Sequence, residues 1–518
     1  MRHALTSQDV ASGARRTSRS MGRRLAVLLR HPTALVLLLA VTQLLLWGVL
    51  SARFNPTPTT DSLEQVLLSQ DLRLAYGKHP PLPTWILYGV NQVFDPSIGA
   101  TFVLGALCSV ATLLLLYAWA STLIGAARAA VATLLASAIV FLNAATAYFN
   151  HNTVQLPLAL LTIVLFHRAL IRNKLLDWAL LGAASGLMML AKFSAVVLFA
   201  SFAVYLVWTR RLREAPTRRG LVAAAFVLAA VIAPHLIAVH GDADASRYAA
   251  EMVFPPEVDR LGRLKSVWNF ATSQLAKVAP ALLIFAFLRR HAPPAPPATG
   301  HPVPLGPFLT IIGFGPLVLT LAAAALAGAR LLAAWGTTFH VLLTLWLVAA
   351  SPYAIQAPSR VLLRAAIACI ALQAVLWIAV TTNGGTLPSL RRSWHHAALP
   401  PPELAEVIQR AWTERSAGPL RYVVADIRTG APLAAQFHGN PRVIDGNRPD
   451  FVAILPHDVR AACGAVIVSG LHASHYDPLD ALLNAAAPLS ITELQMHDGS
   501  RRKYLIGVQT PTAGKVCR

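Results

Sequence analysis

Three short stretches hold side chains able to do chemistry within an otherwise apolar chain of 518 residues. The first begins at Asp61 and Glu64 and runs on to GKHPPLPTW, residues 77–85, which carries Lys78 and His79. The second is YFNHNTVQLPLAL, residues 148–160, with His151 and Asn152. The third is LAKFSAVV, residues 190–197, where Lys192 stands alone between two apolar runs. A positioned carboxylate takes a proton from an attacking group, and a cation neutralises the charge that builds on a leaving phosphate. Asp61 is the candidate base. Asp61-Ser62-Leu63-Glu64 also has the form of a capping box, with Asp61 as N-cap and Glu64 three residues on. The two readings compete, because a carboxylate bonded to backbone N–H has a lowered pKa and is a poorer base.

The cations carry similar pairs of readings. Pro80 and Pro81 fix the backbone after Lys78 and His79, and that stiffness would hold either side chain against a phosphate. An interfacial lysine that snorkels to lipid heads is the alternative for Lys78. A cation at the depth of Lys192 rarely lacks a partner, and a donor phosphate or an outer-loop acid would serve. At an outer turn it would merely be solvated. Arg330 is a basic residue on the side where basic residues are otherwise scarce, near Trp335 and His340. His235, after Pro234, faces either a chamber or the lipid headgroups, with the headgroups favoured.

These groups must be positioned by membrane helices. The chain is 55% hydrophobic and 13% charged, where soluble proteins carry about a quarter charged residues. Apolar runs of spanning length predict about eleven transmembrane helices near 33–52, 99–122, 129–147, 153–171, 175–191, 193–208, 221–240, 275–289, 307–328, 332–350 and 362–382. The pair between Leu175 and Trp208 reads equally as one bent element. The basic start, residues 1–32, leads into the first run without a small-residue cleavage site, so no cleaved signal is expected.

Basic residues fall on alternate loops: the N-terminal segment, Arg168 to Lys174, Arg210 to Arg219, Arg289 and Arg290, and Arg360 to Arg364. This pattern places the N-terminus in the cytoplasm. The formal charge of +21 is then a topology signal plus contact with anionic lipids. Because it is spread over separate loops, it does not describe a nucleic-acid surface. The acids cluster elsewhere. Asp61, Glu64, Asp71 and Asp95 lie in an outer loop at 53–98, and Asp242, Asp244, Glu251, Glu257 and Asp259 in another at 241–274. A solvated loop or a polar reaction chamber at the outer face would account for them.

The transmembrane region, 33–383, gives way at 384–518 to ordinary charge and short alternating apolar runs at 422–425, 443–444, 451–454, 465–469 and 504–508. This predicts a small α/β domain outside the membrane. Helical stretches are expected near 402–412 and 431–437. Cys463 and Cys517 both lie in it, as a disulfide or as free thiols. Residues 292–305 are a Pro-rich cytoplasmic linker by composition.

The order of these pieces resembles the GT-C membrane glycosyltransferases, nearest to the family 39 group of protein O-mannosyltransferases and lipid A aminoarabinose transferases. The resemblance rests on Asp61 and Glu64 after the first span, on GKHPPLPTW, NHNT and LAKFSAVV, and on APHLIAVHGDA at 233–243, and covers residues 33–350. It implies a GT-C-like helical fold and transfer of a sugar from a polyprenyl-phosphate donor to a lipid, glycan or protein acceptor at the outer face. The site would lie in a multi-pass protein of the plasma (inner) membrane. It implies the first loop acid, Asp61, as base. Glu64 joins Asp61 as the second catalytic candidate, and Lys78, His79, His151, Asn152, Lys192 and Arg330 form the polar set for donor phosphate and substrate. The chain departs from the family pattern at Ser62, where a second acid is usual, and at Asn152, where the second-loop acid stands. With fewer carboxylates, no metal site and no cofactor is assigned. No nucleotide-binding glycine loop is visible. The alternative class is a transporter, which places its site at the midplane, often between repeated halves; no repeat is visible here. A metal-dependent headgroup transferase would need a ligand pattern that His438, His457, His472 and His475 do not form.

Overall fold

The computed structural model describes residues 31–54, 58–76, 79–240, 259–290, 304–351, 360–381, 399–448, 454–470, 477–486, 488–496 and 499–517. The chain begins with α1 (Pro32–Phe54), which has proline at its first turn and winds as a π-helix over Leu44–Leu50. Two short helices follow, α2 (Thr60–Leu68) and α3 (Leu82–Asn91). Then come α4 (Ile98–Ile124), α5 (Ala126–Ala136), α6 (His151–Arg172), α7 (Leu175–Ala191), α8 (Val196–Trp208) and α9 (Ala215–Val239). The helical part closes with α10 (Arg260–Arg289), α11 (Leu305–Ala327), α12 (Leu343–Ala350) and α13 (Arg360–Thr381).

Among the described residues seven helices are long and apolar enough to cross a membrane: α1, α4, α6, α9, α10, α11 and α13. Helix α5 and the segment Val140–Ala147 are together long and apolar enough, but they are bent by 96°, the form of a broken span or a re-entrant loop. The protein is an integral membrane protein. The pair predicted over 175–208 is two shorter helices, broken at Lys192 by the turn Phe193–Ala195. Where a span was expected at 332–350, the chain makes a 3-10 turn at Ala333–Gly336 and the 8-residue α12. At 1.5 Å per residue α12 reaches about 12 Å, too little to cross the hydrocarbon layer. Helix α10 is longer than the predicted 275–289, because its first turns are too charged to register as a span.

The helices pack closely through small residues, as membrane helices do. A Cβ on Gly182 of α7 would lie 2.3 Å from the Ala224 carbonyl oxygen of α9, so only glycine lets the two backbones meet. At the end of the bundle far from the tail domain, Asp177 is fully buried and ion-paired with Arg168 at 2.6 Å and Arg172 at 3.5 Å. A buried carboxylate needs such partners, and these fix the turn between α6 and α7.

The tail domain holds α14 (Pro401–Thr413), β1 (Tyr422–Ala425), α15 (Ile427–Phe437), β2 (Arg442–Asp445), α16 (His457–Cys463), β3 (Ala465–Gly470), α17 (Asp477–Ala485), β4 (Ser490–Gln495) and β5 (Arg501–Gln509). Its sheet has the order β2-β1-β3-β5-β4, with β2, β1 and β3 parallel and β5 and β4 antiparallel to their neighbours. β3 is buried throughout, which matches its unbroken apolar run. β4 was not expected: it is an edge strand with three of its six side chains exposed. Of the run expected at 451–454, residues 451–453 lie outside the described residues. Cys463 and Cys517 form a disulfide.

Tail domain and first loop share one core. Leu63, Val66 and Leu67 of α2 pack in the same cluster as Leu404, Ile408 and Trp412 of α14 and Val423 of β1. Beside it, the Gln70 side chain takes the place of a missing strand at the free edge of β2. Its Nε2 donates to the Val443 carbonyl at 2.8 Å, and its Oε1 accepts from the Val443 N–H at 2.9 Å. Asp71 pairs with Arg442, and Arg448 donates to the Tyr76 carbonyl at 3.0 Å. Gln70→Ala strips both partners from Val443. It is expected to cost about 1–3 kcal/mol and to lower the thermal midpoint of the purified protein. An unchanged midpoint would show that the clip contributes nothing.

Candidate active site

The site is built where α2, the start of α6 and the break after α7 meet. Helix α2 begins with Thr59 as N-cap, without a side-chain cap bond. Asp61 is therefore the second residue inside the helix. The capping-box reading of Asp61 is corrected: the helix starts two residues earlier than that frame requires, and the carboxylate is not spent on backbone N–H groups. Asp61 is exposed, and the positive end of the helix dipole favours its charge.

Its partner is Asn150, which the sequence reading passed over. Asn150 caps α6, its Oδ1 accepting from the N–H groups of Asn152 at 2.9 Å and Thr153 at 3.2 Å. Thr153 Oγ1 accepts from the Asn150 N–H at 2.9 Å, completing the box. With its oxygen held this way, the amide nitrogen must point outward, and it donates to Asp61 Oδ2 at 3.4 Å. The signal that could have found Asn150 is the pattern N-x-x-T directly before a long apolar run.

Lys192 ends α7 in an extended conformation. Its Nζ donates to Asn152 Oδ1 at 2.6 Å and lies 5.8 Å from the centre of the Trp335 ring. It is also within electrostatic reach of Asp61. Gln155 ties the turn down by donating to the Lys192 carbonyl at 3.2 Å. Asp61, Asn150, Asn152, Lys192 and Trp335 thus form one constellation. A carboxylate stands on one side of the first turn of α6 and an ammonium on the other.

The remaining candidates divide. The His79 and His151 rings sit 4.0 Å apart at a tilt of 42°, with His151 buried. Lys78 lies outside the described residues. Glu64, one turn past Asp61, is buried and within electrostatic reach of Asp445 in the tail domain. Arg330 is exposed and, among the described residues, makes no ion pair. His235 does not face headgroups: it is buried, its Nδ1 is 2.8 Å from the Leu74 carbonyl oxygen, and its ring stacks on Phe193. Pro234 does not end α9, which runs on to Val239, and the ring is held against the first loop at Leu74. Among the described residues no group of three or more His, Cys, Asp or Glu is placed to hold a metal ion.

The tail domain brings a second group of acids to this face. Asp426 caps α15, accepting from Arg428 N–H at 2.9 Å, and Asp445 closes β2, accepting from Asn447 N–H at 3.0 Å. Burial raises the Asp445 carboxyl to about 6, with the charges of Asp426 and Glu64 adding to the rise and the Asn447 N–H and Arg448 opposing it. A carboxyl raised in the folded state favours folding below its unfolded value and loses that advantage as pH climbs to about 6. Asp445→Asn keeps the acceptor and removes the buried charge. It is expected to raise stability above pH 6 by on the order of 2 kcal/mol and to change nothing near pH 3. Thermal midpoints of both proteins across that range provide the check. An Asp445→Asn protein no more stable at pH 7.5 than its parent would refute it.

Residues 78–237, from the loop before α3 to the end of α9, match the family described as dolichyl-phosphate-mannose-protein mannosyltransferase. Two solved structures share the fold. ArnT from Cupriavidus metallidurans bound to undecaprenyl phosphate superposes with a TM-score of 0.60 at 14% identity, covering 91% of this chain and 97% of that one. The apo state of the same protein gives 0.59 at 13% identity, covering 92% and 98%. No curated protein sequence matches the chain. The resemblance to the GT-C membrane glycosyltransferases therefore holds in the fold across nearly the whole chain, tail domain included.

Proposed function

We propose that this protein transfers a sugar from a polyprenyl-phosphate carrier to an acceptor, at the membrane face that bears the tail domain. The observation that carries this reading is the pairing of Asp61 with Lys192 across the first turn of α6, held by Asn150 and Asn152. The family match and the undecaprenyl phosphate in the ArnT structure support it.

Asp61 Oδ takes the proton from the acceptor hydroxyl as its oxygen attacks the anomeric carbon of the sugar. The bond from that carbon to the phosphate oxygen breaks, and its electron pair leaves with the phosphate. Lys192 meets that charge, and the N-terminus of the 22-residue α6 adds a positive dipole end. Asn152 matters here because it is neutral. It orients the ammonium without cancelling its charge, which a carboxylate at that position would do. Lys78, next to His79 in the sequence, is a second cation for the phosphate, and the adjacent His79 and His151 rings add polar groups. Glu64 shapes the chamber wall against the tail. Arg330 meets the anionic headgroup from the membrane surface.

The basic loops support a cytoplasmic N-terminus and a tail outside the plasma membrane, and the tail disulfide fits an oxidising compartment. The sugar is a hexose or pentose, and the acceptor a lipid, glycan or protein. A deletion strain tests the reading. Its lipid extract should accumulate one polyprenyl-phosphate-linked sugar by mass spectrometry, and the wild-type chain should clear it. A carrier pool unchanged by deletion would refute the assignment.

A further inference from the structure

Lys192 is tied to Asn152 through its ammonium and to Gln155 through its carbonyl. The next residue, Phe193, opens the turn Phe193–Ala195 that breaks α7 from α8. Phe193 is 41% exposed, so burial alone does not fix it. Its ring meets the His235 ring of α9, with centres 5.7 Å apart and planes 26° from parallel. His235 is 2% exposed, and its Nδ1 lies 2.8 Å from the Leu74 carbonyl oxygen. A carbonyl only accepts, so Nδ1 carries the proton and donates. One buried imidazole thus touches both the residue after Lys192 and the backbone of the first loop.

That stretch of the loop is held more by hydrogen bonds than by burial. Leu72 and Leu74 are 60% and 49% exposed. Tyr76 is buried and closes the loop on itself: its hydroxyl accepts from the Arg73 N–H at 2.9 Å and donates to the Asp71 carbonyl at 2.6 Å. Three backbone carbonyls then accept from three separate elements. Trp85 Nε1 of α3 donates to Arg73 at 2.7 Å, His235 of α9 to Leu74, and Arg448 after β2 to Tyr76 at 3.0 Å. Asp71 adds its ion pair with Arg442 of β2. The loop is therefore a strap between the tail domain and the bundle. Its attachment on α9 is His235, the same side chain that packs on the Lys192 turn.

A cation that meets a leaving phosphate depends on its placement, since an error of about 1 Å can cost about 10²-fold in rate. We infer that His235 is a positioning residue for Lys192: it braces the turn at Phe193 and is itself held by the first-loop strap. The inference rests on Lys192 as the cation of the proposed reaction.

The test reads Lys192 itself and does not require sugar transfer. Purified full-length protein in neutral detergent is acetylated with the N-hydroxysuccinimide ester of acetic acid. Rates at Lys192, and at Lys277 of α10 as the control, are followed by peptide mass spectrometry. His235→Ala removes ring and donor, and it should speed acetylation of Lys192 about fivefold or more relative to Lys277, as local opening exposes a held side chain. His235→Phe keeps a ring beside Phe193 and removes only the hydrogen bond to Leu74, which covers the case where the alanine variant folds poorly. It should give a rise of about twofold or more by the same opening. Both variants should lower kcat/KM for the carrier-linked sugar about tenfold or more and leave the acceptor KM unchanged, a split that general loosening of the fold would not produce. Unchanged Lys192 acetylation in either variant would overturn the proposal. So would an equal rise at Lys192 and Lys277. Lys192 as the phosphate cation is checked separately in the wild type: farnesyl phosphate should slow its acetylation and farnesol should not. Equal rates with both would refute that reading, whatever the His235 variants show.

Discussion

Asp61→Asn is expected to lower sugar transfer about 10²- to 10⁴-fold, the usual cost of removing a general base, with the fold intact. The structure makes this a clean substitution. Asp61 is inside the first turn of α2 and does not cap it, so the change costs at most the loss of a favourable dipole interaction, about 0.3–1 kcal/mol. An asparagine oxygen can still accept from Asn150, so the contact that orients the side chain survives. Activity and thermal midpoint measured side by side separate the roles. Near-normal transfer with an unchanged midpoint would remove Asp61 from the mechanism and leave Glu64 as the other acid of that loop.

The second large effect is expected at the phosphate. Lys192→Met should reduce kcat/KM for the carrier-linked sugar by about 10²- to 10³-fold, as when one group that stabilises developing negative charge is lost. The loss should fall on the donor and leave the acceptor KM little changed. Asn152→Asp supplies the complementary test. It places a carboxylate 2.6 Å from the ammonium at the position of the present amide oxygen, forming an ion pair that competes with phosphate. Donor binding should weaken although no cation has been removed. If Lys192→Met keeps the wild-type donor kinetics, the leaving phosphate is held elsewhere, with Lys78 the first alternative.

Much of this site was legible because a membrane sequence makes polar residues conspicuous. Asp61, Lys192 and Asn152 stand out against apolar runs, and residue type alone marks them. Their exact partners were harder to see. The frame Asp61 to Glu64 fits a capping box by pattern, yet the helix starts from Thr59, because a four-residue pattern does not fix where the first backbone bond forms. Asn150 does not stand out by charge, because its role comes from capping α6 and only then turning its amide nitrogen to Asp61.

Long-range packing was the larger gap. Gln70 and Val443 are 373 residues apart, and hydrophobic period reports only which face of a segment is buried, not against what. The boundary drawn at 384 therefore separates in sequence what the structure joins in one core. Likewise the run at 332–350 is apolar enough for a span. The glycine at 336 that admits the Gln274 side chain, and the turn it sits in, interrupt the helix without lowering the hydropathy.

Under the proposed function, the bond between sugar and carrier phosphate breaks at the Asp61 and Lys192 constellation. The most direct measurement follows a doubly labelled polyprenyl-phosphate sugar with the purified protein in vesicles that contain acceptor. Sugar label should appear on the acceptor and free polyprenyl phosphate in equal amount, and Asp61→Asn should slow both alike, by about 10²- to 10⁴-fold. Passage of the labelled compound across the vesicle membrane with its sugar–phosphate bond intact, and without release of carrier, would contradict it and favour a transporter.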